Sequence, residues 1–342
     1  MTAQRHSCAQ TVQTLRSLLR TLVITNMWPS DADPAFGAFV CDQVHALREL
    51  AGSDIEIDVF HFGPGGYLRA VRDLRRAHAG RHYDIVHAHF GLTAFPAIAL
   101  RGAPLIVTLH GTDLRHPRSG RITRALLPFV TLPAAVSSAL AQELAGAGID
   151  RRVAVLPCGV DLERFRPMPR ATARRRLGLD PDEPCLLFPA DPLRAGKRHD
   201  LAIEAADGTR LLSLGGVEPE QVPLWINAAN AIVLPSEAEG FGLAVLEALA
   251  CDVPVVATPV GIHPVALAEL PGVLCAPYDA GRWRAALAPH LRAAEPRVRG
   301  RRRAALWSSE RMARRVMAAW SELAPPRLYS AVAAPSPAPP PP

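Results

Sequence analysis

Aromatic side chains are scarce in this chain, at 6% of its residues, and single-stranded nucleic acids are bound largely by stacking of bases on such side chains. The six cysteines are scattered, with neither the CxxC spacing of a zinc site nor the density of a disulfide scaffold. No apolar run approaches the ~20 residues of a membrane-spanning helix. These absences argue against a nucleic-acid partner, a metal site and a membrane span, and they favour the reducing cytoplasm.

The two ends of the chain also lack structural signals. Residues 1–19 have no apolar core followed by a small-residue cleavage site, so a secretory signal is not expected there, and we expect an extension of uncertain order. Residues 325–342 end in APSPAPPPP, which cannot pack a core and predicts a disordered tail.

Positive charge exceeds negative charge, and the formal net charge is +6. An excess of arginine suits anionic partners such as phosphates, nucleotides or an acidic membrane surface. A GC-rich genome explains the same richness in Arg, Ala and Pro equally well. The arginines from 297 to 303 are the strongest basic cluster, and they raise two further ideas, a peripheral contact with anionic lipid and a nucleic-acid site.

Strand-like and helix-like segments alternate along most of the 342 residues. Such alternation predicts parallel sheets covered by helices on both faces, that is, an α/β fold with two Rossmann-like domains. We expect the first domain over residues 20–166, the second over 167–306, and a helix over 307–324. Within the two domains, the residue pattern predicts helical segments near 122–129 and over 297–306. The turn after the first strand lacks GxGxxG, which disfavours a nicotinamide or flavin dinucleotide site.

The most informative stretch is AIVLPSEAEGFGLAVLEALACDVPVVATPVGI, which ends at Ile262. It predicts a strand, a glycine-containing turn, a helix and a second strand. Glu239 lies just before the turn of Gly240, Phe241 and Gly242, and Glu247 lies inside the helix. Unpaired N–H groups at the helix start suit an anionic or hydroxyl-bearing ligand, and carboxylates suit sugar diols. A capping acid and a solvated helix glutamate are the alternative.

Three more segments carry candidate side chains at predicted strand ends. His110 is well placed to hydrogen-bond a ligand, whereas His87 and His89 are expected to be structural, and no metal site is expected from the three. Gly37 would let the backbone approach a ligand closely, although a plain turn glycine is equally consistent.

A pair of cations, Arg194 and Lys197, precedes a predicted helix in the second half of the chain. Two cations at a helix start can cradle a diphosphate, and solvated surface charges are the alternative.

Taken together, these residues resemble the retaining glycosyltransferases with the GT-B fold, in particular glycosyl transferase family 4, also called the glycosyl transferases group 1. The E-x7-E signature of that family stands here as Glu239 and Glu247. The resemblance covers about residues 20–324 and includes the segments DADPAFGAFVCDQVHAL, DIVHAHFG, PLIVTLHGTDL, VSSALAQEL, VAVLPCGVDLERFRP and SSERMARRVMAAW.

The resemblance implies a role for each matching residue. Glu247 would bind the ribose of the nucleotide, and Glu239 would hold donor-sugar hydroxyls. Lys197 with Arg194 would stabilise the departing diphosphate, and His110 would reach in from the other domain.

The glycine positions are implied in the same way. Gly240, Phe241 and Gly242 would present backbone donors to the sugar, and Gly37 would line the acceptor side. Two departures from the family matter: the RAGK spacing makes Arg194 less secure than Lys197, and AFG has one glycine where some relatives have a pair.

The resemblance therefore implies a metal-independent retaining glycosyltransferase of the GT-B fold, whose C-terminal helix crosses back to the first domain. It needs no cofactor, because the nucleotide diphosphate sugar is the donor substrate. The acceptor would be a glycan, a lipid-linked molecule or a small molecule, and the location would be cytoplasmic or peripheral at the inner face of the membrane. A nucleotide-sugar epimerase and a non-catalytic nucleotide-sugar-binding protein are the alternatives.

Overall fold

The computed structural model describes residues 18–324 except Arg101, Gly148 and Asp150. The first half of the chain forms a six-stranded parallel sheet in the order β2-β1-β3-β4-β5-β6. Its strands are β1 (Leu19–Thr25), β2 (Ile55–His61), β3 (Ile85–His89), β4 (Leu105–Leu109), β5 (Leu132–Ala135) and β6 (Ala154–Val155). Its helices are α1 (Ala38–Ala51), α2 (Tyr67–Ala77), α3 (Ala94–Ile98), α4 (Thr112–Arg115), α5 (Pro117–Leu126) and α6 (Ser138–Gly146).

The second half forms a five-stranded parallel sheet in the order β11-β10-β9-β7-β8. Its strands are β7 (Cys185–Phe188), β8 (Arg210–Ser213), β9 (Ala231–Leu234), β10 (Val255–Ala257) and β11 (Leu274–Cys275). The helices that accompany it are α7 (Arg170–Leu177), α8 (His199–Ala206), α9 (Val222–Ala228), α10 (Leu243–Ala250), α11 (His263–Leu267), α12 (Ala280–Arg292) and α13 (Arg301–Ala304). The predicted α/β fold class, with two Rossmann-like sheets, is confirmed.

Each sheet has one point at which the direction of strand addition reverses. In the first sheet β1 lies between β2 and β3, and in the second β7 lies between β8 and β9. Ligands of open parallel sheets bind beyond the carboxyl ends of the strands at such a switch point. The fold therefore directs attention to the loops that follow β1 and β3 in one sheet and β7 and β9 in the other.

The chain passes twice between the two halves. The outgoing segment and the returning segment pair with each other, because Val160 N–H donates to the Trp307 carbonyl at 2.8 Å and Ser309 N–H donates to the Val160 carbonyl at 2.9 Å. The returning helix α14 (Ser309–Leu323) is capped by the Ser308 hydroxyl. It packs against α1 of the first half through Ala313, Val316, Ala319 and Trp320. The predicted crossing of the C-terminal helix is confirmed.

Some predicted elements differ in extent from the observed ones. A helical stretch was expected near 122–129, and α5 followed by a 3₁₀ turn over 127–129 covers it, but α5 begins earlier, at Pro117, a residue well suited to the first turn of a helix. A helix was also expected over 297–306, and there only residues 301–304 are α-helical. The short helices α4 and α11 were not predicted. The expected N-terminal extension and proline-rich tail lie outside the described residues, apart from residues 18 and 19.

The arginine-rich segment 297–303 is used largely within the fold. The Arg297 side chain donates to the Met168 carbonyl at 2.6 Å, and the Arg303 side chain donates to the Val265 carbonyl at 3.0 Å. Arg301 donates to three carbonyls, those of Leu162, Phe165 and Ala250. The bonds of Arg297 and Arg301 hold the second half against the crossover segment, which is the stretch between β6 and α7, and the bond of Arg303 lies within the second half. Most of the cluster therefore has a structural use.

None of the helices in the described part of the chain combines the length and apolar character that crossing a bilayer demands.

Candidate active site

The centre of the site is an ion pair between Lys197, in the loop after β7, and Glu239, in the loop after β9. Lys197 Nζ lies 2.6 Å from Glu239 Oε1, and their side chains are 20% and 10% exposed. Burial disfavours a charged carboxyl, but the nearby Lys197 ammonium outweighs it and lowers the pKa of Glu239. The pair therefore stands ionised at the switch point of the second sheet.

Glu247 is half-buried on the first turns of α10, and its surroundings differ from those of Glu239. Burial raises the pKa of Glu247 to about 7, and the guanidinium of Arg164 opposes that rise. Arg164 is itself held by Asp42 of α1 through two bonds, of 2.6 and 3.1 Å. The two predicted glutamates thus lie in one cleft with different affinities for a proton.

His110 faces this cleft from the end of β4. Its loop is fixed by the buried carboxylate of Asp113, which accepts from the backbone N–H groups of Gly91 at 3.0 Å, His110 at 3.0 Å and Gly111 at 2.7 Å. Burial lowers the pKa of His110 to about 4, so the ring is neutral at neutral pH. Asp113 thus fixes the backbone of the loop that carries His110.

The two halves touch where the His110 loop meets the loop of Glu239. A Cβ atom added to Gly240 would overlap the His110 carbonyl oxygen, and one added to Gly111 would lie 3.2 Å from Gly240 Cα. Arg115 of α4 adds a bond across the same gap, from its guanidinium to the Glu239 carbonyl at 3.3 Å. Only glycine fits at 240 with the halves this close.

The glycine turn sits on the loop that follows β10. Ile262 N–H donates to the Phe241 carbonyl at 2.7 Å, and Phe241 is buried. Gly242 stands at φ 96° just before α10 begins. The predicted turn of Gly240, Phe241 and Gly242 is therefore rigidly supported at the mouth of that helix.

Two predicted site residues, Arg194 and Gly37, make no side-chain hydrogen bond or ion pair to Lys197 or Glu239 in the described part of the chain. The Arg194 side chain is exposed, and the structure shows no ion pair between it and Glu239. Arg198, the residue immediately before α8, pairs with Glu237 at 3.1 Å and with Asp200 at 2.7 Å. Gly37 has φ 75° and packs on the Met27 backbone where α1 begins, so a side chain would clash there.

Several residues of the site were not found from the sequence. His263 is fully buried beneath the glycine turn, and its Nδ1 lies 2.9 Å from the Thr258 carbonyl. Asp42, Arg115 and Arg164 also reach the cleft, from segments far apart in the chain. Nothing in their local sequence marks them. Over the described residues, no group of three or more His, Cys, Asp or Glu side chains is arranged to hold a metal ion.

Solved structures with the same two-sheet arrangement define the class of protein. Sucrose-phosphate synthase from Thermosynechococcus elongatus superposes with a TM-score of 0.73 at 21% identity, over 89% of this chain and 99% of that chain. Anabaena Alr3699/HepE, solved in complex with UDP-glucose, has a TM-score of 0.66 at 17% identity, over 89% of this chain and 100% of that chain. The fold is GT-B.

Sequence comparisons identify the family. The model for Glycosyltransferase Family 4 matches residues 14–164, and the model for Glycosyl transferases group 1 matches residues 197–307. A D-inositol 3-phosphate glycosyltransferase from Actinosynnema mirum is 33% identical over 67% of this chain and 69% of its own length. One of the same name from Segniliparus rotundus is 31% identical over 64% of this chain and 60% of its own length. The chain belongs to the glycosyl transferases group 1, a family of transferase enzymes.

Proposed function

We propose that this protein is a retaining glycosyltransferase that moves a sugar from a nucleotide diphosphate sugar to an acceptor hydroxyl without a metal ion. The observation that carries the proposal is the buried pair of Lys197 and Glu239 at the switch point of the second sheet, opposite His110 of the first. A cation beside a carboxylate suits a donor that has a diphosphate on one side and sugar hydroxyls on the other.

Lys197 is the only lysine among the 38 basic Lys and Arg residues of the chain. The residue that pairs with Glu239 is therefore an ammonium, and all the other Lys and Arg positions of the chain are arginines. An ammonium has three donors, so it can bind Glu239 and still donate to diphosphate oxygens. In this reaction it would take the charge-neutralising part that other enzymes give to a metal ion.

The other residues of the site would each bind a different part of the nucleotide-sugar donor. Glu239 accepts from hydroxyls of the sugar, and Glu247 accepts from the ribose. The backbone N–H groups at the start of α10 add further donors. His110 meets the sugar from the other side of the cleft.

Transfer with retention needs the acceptor to attack on the face from which the diphosphate leaves. In our proposal the departing phosphate oxygen takes the acceptor proton, so the protein supplies positioning and charge rather than a nucleophile. The acceptor is a glycan, a lipid-linked molecule or a small molecule bound on the side of the first sheet, near Gly37.

The comparisons support the donor class. One structural neighbour was solved with UDP-glucose, and another, a trehalose-phosphate synthase from Burkholderia xenovorans, with glucose-6-phosphate. The curated relatives carry the name D-inositol 3-phosphate glycosyltransferase. A nucleotide sugar as donor and a hydroxyl-bearing sugar or polyol as acceptor fit all of these names.

The single lysine makes a direct binding test available. Expression with lysine labelled with ¹⁵N at Nζ gives a side-chain signal from Lys197 alone and leaves its three N–H donors in place. The protein is titrated with UDP-, GDP- and ADP-sugars. One of the three nucleotides should shift the Lys197 signal at a lower concentration than the other two. The same donor at ~100 times its dissociation constant should stabilise the protein by ~2.7 kcal/mol in thermal unfolding.

Turnover then tests the chemistry. Glu239→Gln and Lys197→Met should each lower transfer about 100-fold or more, since each removes a charge that faces the reacting groups. Lys197→Arg should not restore it, because a planar guanidinium does not fit the place of the ammonium. Glu237→Gln, in the same loop but exposed, is the matched control and should transfer normally.

Three outcomes would count against the proposal. Unchanged transfer in Glu239→Gln would refute the assignment of the pair. Epimerised donor formed without an acceptor would make the protein an epimerase. Tight donor binding without release of nucleoside diphosphate, across the acceptor classes, would make it a binding protein.

A further inference from the structure

Three histidines form a row beneath the cleft at the ends of β3 and β4. The His87 and His89 rings are stacked with centroids 4.6 Å apart, and the His89 and His110 rings with centroids 5.5 Å apart. His87 and His89 are buried, at 0% and 1% exposure, whereas His110 is partly exposed. Only the last ring of the row can therefore meet a ligand.

A hydrogen-bond chain enters the row from α1. The side-chain nitrogen of Gln43 lies 3.1 Å from His89 Nε2, and His89 Nδ1 lies 3.3 Å from His110 Nε2. The Gln43 amide is oriented with its NH₂ group towards His89, and an NH₂ group is a donor only. In this orientation His89 Nε2 accepts and the His89 proton sits on Nδ1. That proton is donated to His110 Nε2, and the proton of His110 sits on Nδ1.

His87 belongs to a separate branch. Trp320 of α14 donates its indole N–H to His87 Nδ1 at 3.1 Å, so His87 carries its proton on Nε2, which lies 2.8 Å from the Thr108 hydroxyl. This branch ends at Thr108 and makes no hydrogen bond to His110. The row thus holds two neutral imidazoles of opposite tautomer, stacked on each other.

We propose that Gln43 and His89 are positioning residues that hold His110 as the Nδ1–H tautomer, so that the ring offers a hydrogen-bond donor to the oxygens of the donor sugar. The inference rests on the proposed function for the ligand, but the tautomer itself does not. If residue 43 carried an acceptor instead of a donor, all the hydrogen bonds from residue 43 to His110 would reverse their direction. The acceptor would draw the His89 proton to Nε2, and His110 would then donate to His89. One side chain of α1 thereby decides whether His110 offers its ligand a donor or an acceptor.

The tautomers can be measured without any substrate. In the ¹⁵N-histidine-labelled protein at pH 7.5, two-bond ¹⁵N–¹H correlation should show His89 and His110 protonated on Nδ1 and His87 on Nε2. Variants that each lack one of the three histidines assign the signals. In Gln43→Glu the carboxylate accepts from His89, and His110 should switch to Nε2–H. A His110 that is Nε2–H in the unaltered protein, or that does not respond to Gln43→Glu, would overturn the proposal.

Turnover separates positioning from packing. His89→Leu and Gln43→Glu should lower kcat about tenfold to 100-fold, the range found when the hydrogen-bond partner of a metal-bound imidazole is lost. His89→Asn keeps a donor close to the place of Nδ1 and should recover most of that loss. Equal losses in His89→Asn and His89→Leu would contradict the relay.

Trp320→Phe is the matched control, because it removes a buried hydrogen bond of the same row that does not lead to His110. It should lower the melting temperature and leave both the His110 tautomer and kcat unchanged. A loss of kcat as large as that in His89→Leu would mean that the row acts only through packing. If the unaltered protein transfers no sugar, the proposed function fails, and the tautomer measurement still decides the relay.

Discussion

At the scale of single residues, Glu247 is the group whose charge changes in the neutral range. Burial raises its pKa from an ordinary value of 4.5 to about 7 against the opposing charge of Arg164, while Asp42 assists the rise and Lys197 opposes it. The folded protein therefore binds more protons than the unfolded chain between these two values. It follows that this carboxyl costs stability as the pH rises from about 4.5 to about 7, and that the full cost is present above pH 7.

Replacing Glu247 by glutamine should remove that cost. We expect Glu247→Gln to be more stable than the unaltered protein at pH 8, by about 1 to 3 kcal/mol, and by less than about 1 kcal/mol at pH 5. Denaturant unfolding at the two pH values measures the difference. Glu218→Gln, at an exposed glutamate, controls for the general effect of removing a negative charge. A Glu247→Gln effect that is the same at both pH values would contradict the raised pKa.

At the scale of elements, α7 shows how one buried arginine can organise a connection. Arg174 is 0% exposed. It donates to the Ala228 carbonyl at 2.8 Å, to the Glu183 carbonyl at 2.6 Å and to the Asn230 amide oxygen at 2.7 Å. These bonds join α7, the turn before β7 and the start of β9. The carbonyls are satisfied because a guanidinium has five donors in one plane.

Arg174→Met should destabilise the second half strongly. It keeps much of the volume but leaves several buried acceptors without donors, which we expect to cost about 3 to 5 kcal/mol. Denaturant unfolding provides the measurement. Arg175→Met, on the next residue of the same helix and exposed, should change stability by less than about 0.5 kcal/mol. Equal effects in the two variants would show that the internal bonds of Arg174 contribute little.

At the scale of the whole molecule, the distance between the two halves is set where Gly240 meets the His110 carbonyl. The pair of Arg164 and Asp42, which lies near Glu247, ties the crossover segment to α1. The site uses side chains from both halves, so its geometry depends on this close approach. A small side chain added at residue 240 should therefore push the halves apart without disturbing either core.

Gly240→Ala makes that change. Its added methyl group would overlap the His110 carbonyl, so we expect a more open molecule, seen as a larger radius of gyration in X-ray scattering, and about a tenfold or greater loss of transfer. The melting temperature should change little, because both cores remain packed. Gly146→Ala, where a Cβ meets nothing within 4 Å, is the control. A closed, fully active Gly240→Ala would show that the approach is not needed.

Much of this architecture could be predicted because it is local. The alternation of strands and helices and the spacing of Glu239 and Glu247 are set by the periodicities of the backbone. Errors arose where local preference is weak, as in the segment 297–306, whose arginines bind distant carbonyls instead of lining a long helix. Spacing along a loop does not fix the direction of a side chain, and the structure places that of Arg194 at the surface.

The sequence by itself determined the fold class, the family and the two glutamates, since these follow from residue patterns within short segments. Only the tertiary structure decided which groups meet. Lys197 and Glu239 are 42 residues apart, Arg164 and Asp42 are 122 apart, and Trp320 reaches His87 across 233 residues. Strand order and the packing of α14 bring these pairs together, and no local preference of the chain encodes them. The physical reason is that such contacts depend on how whole sheets and helices pack.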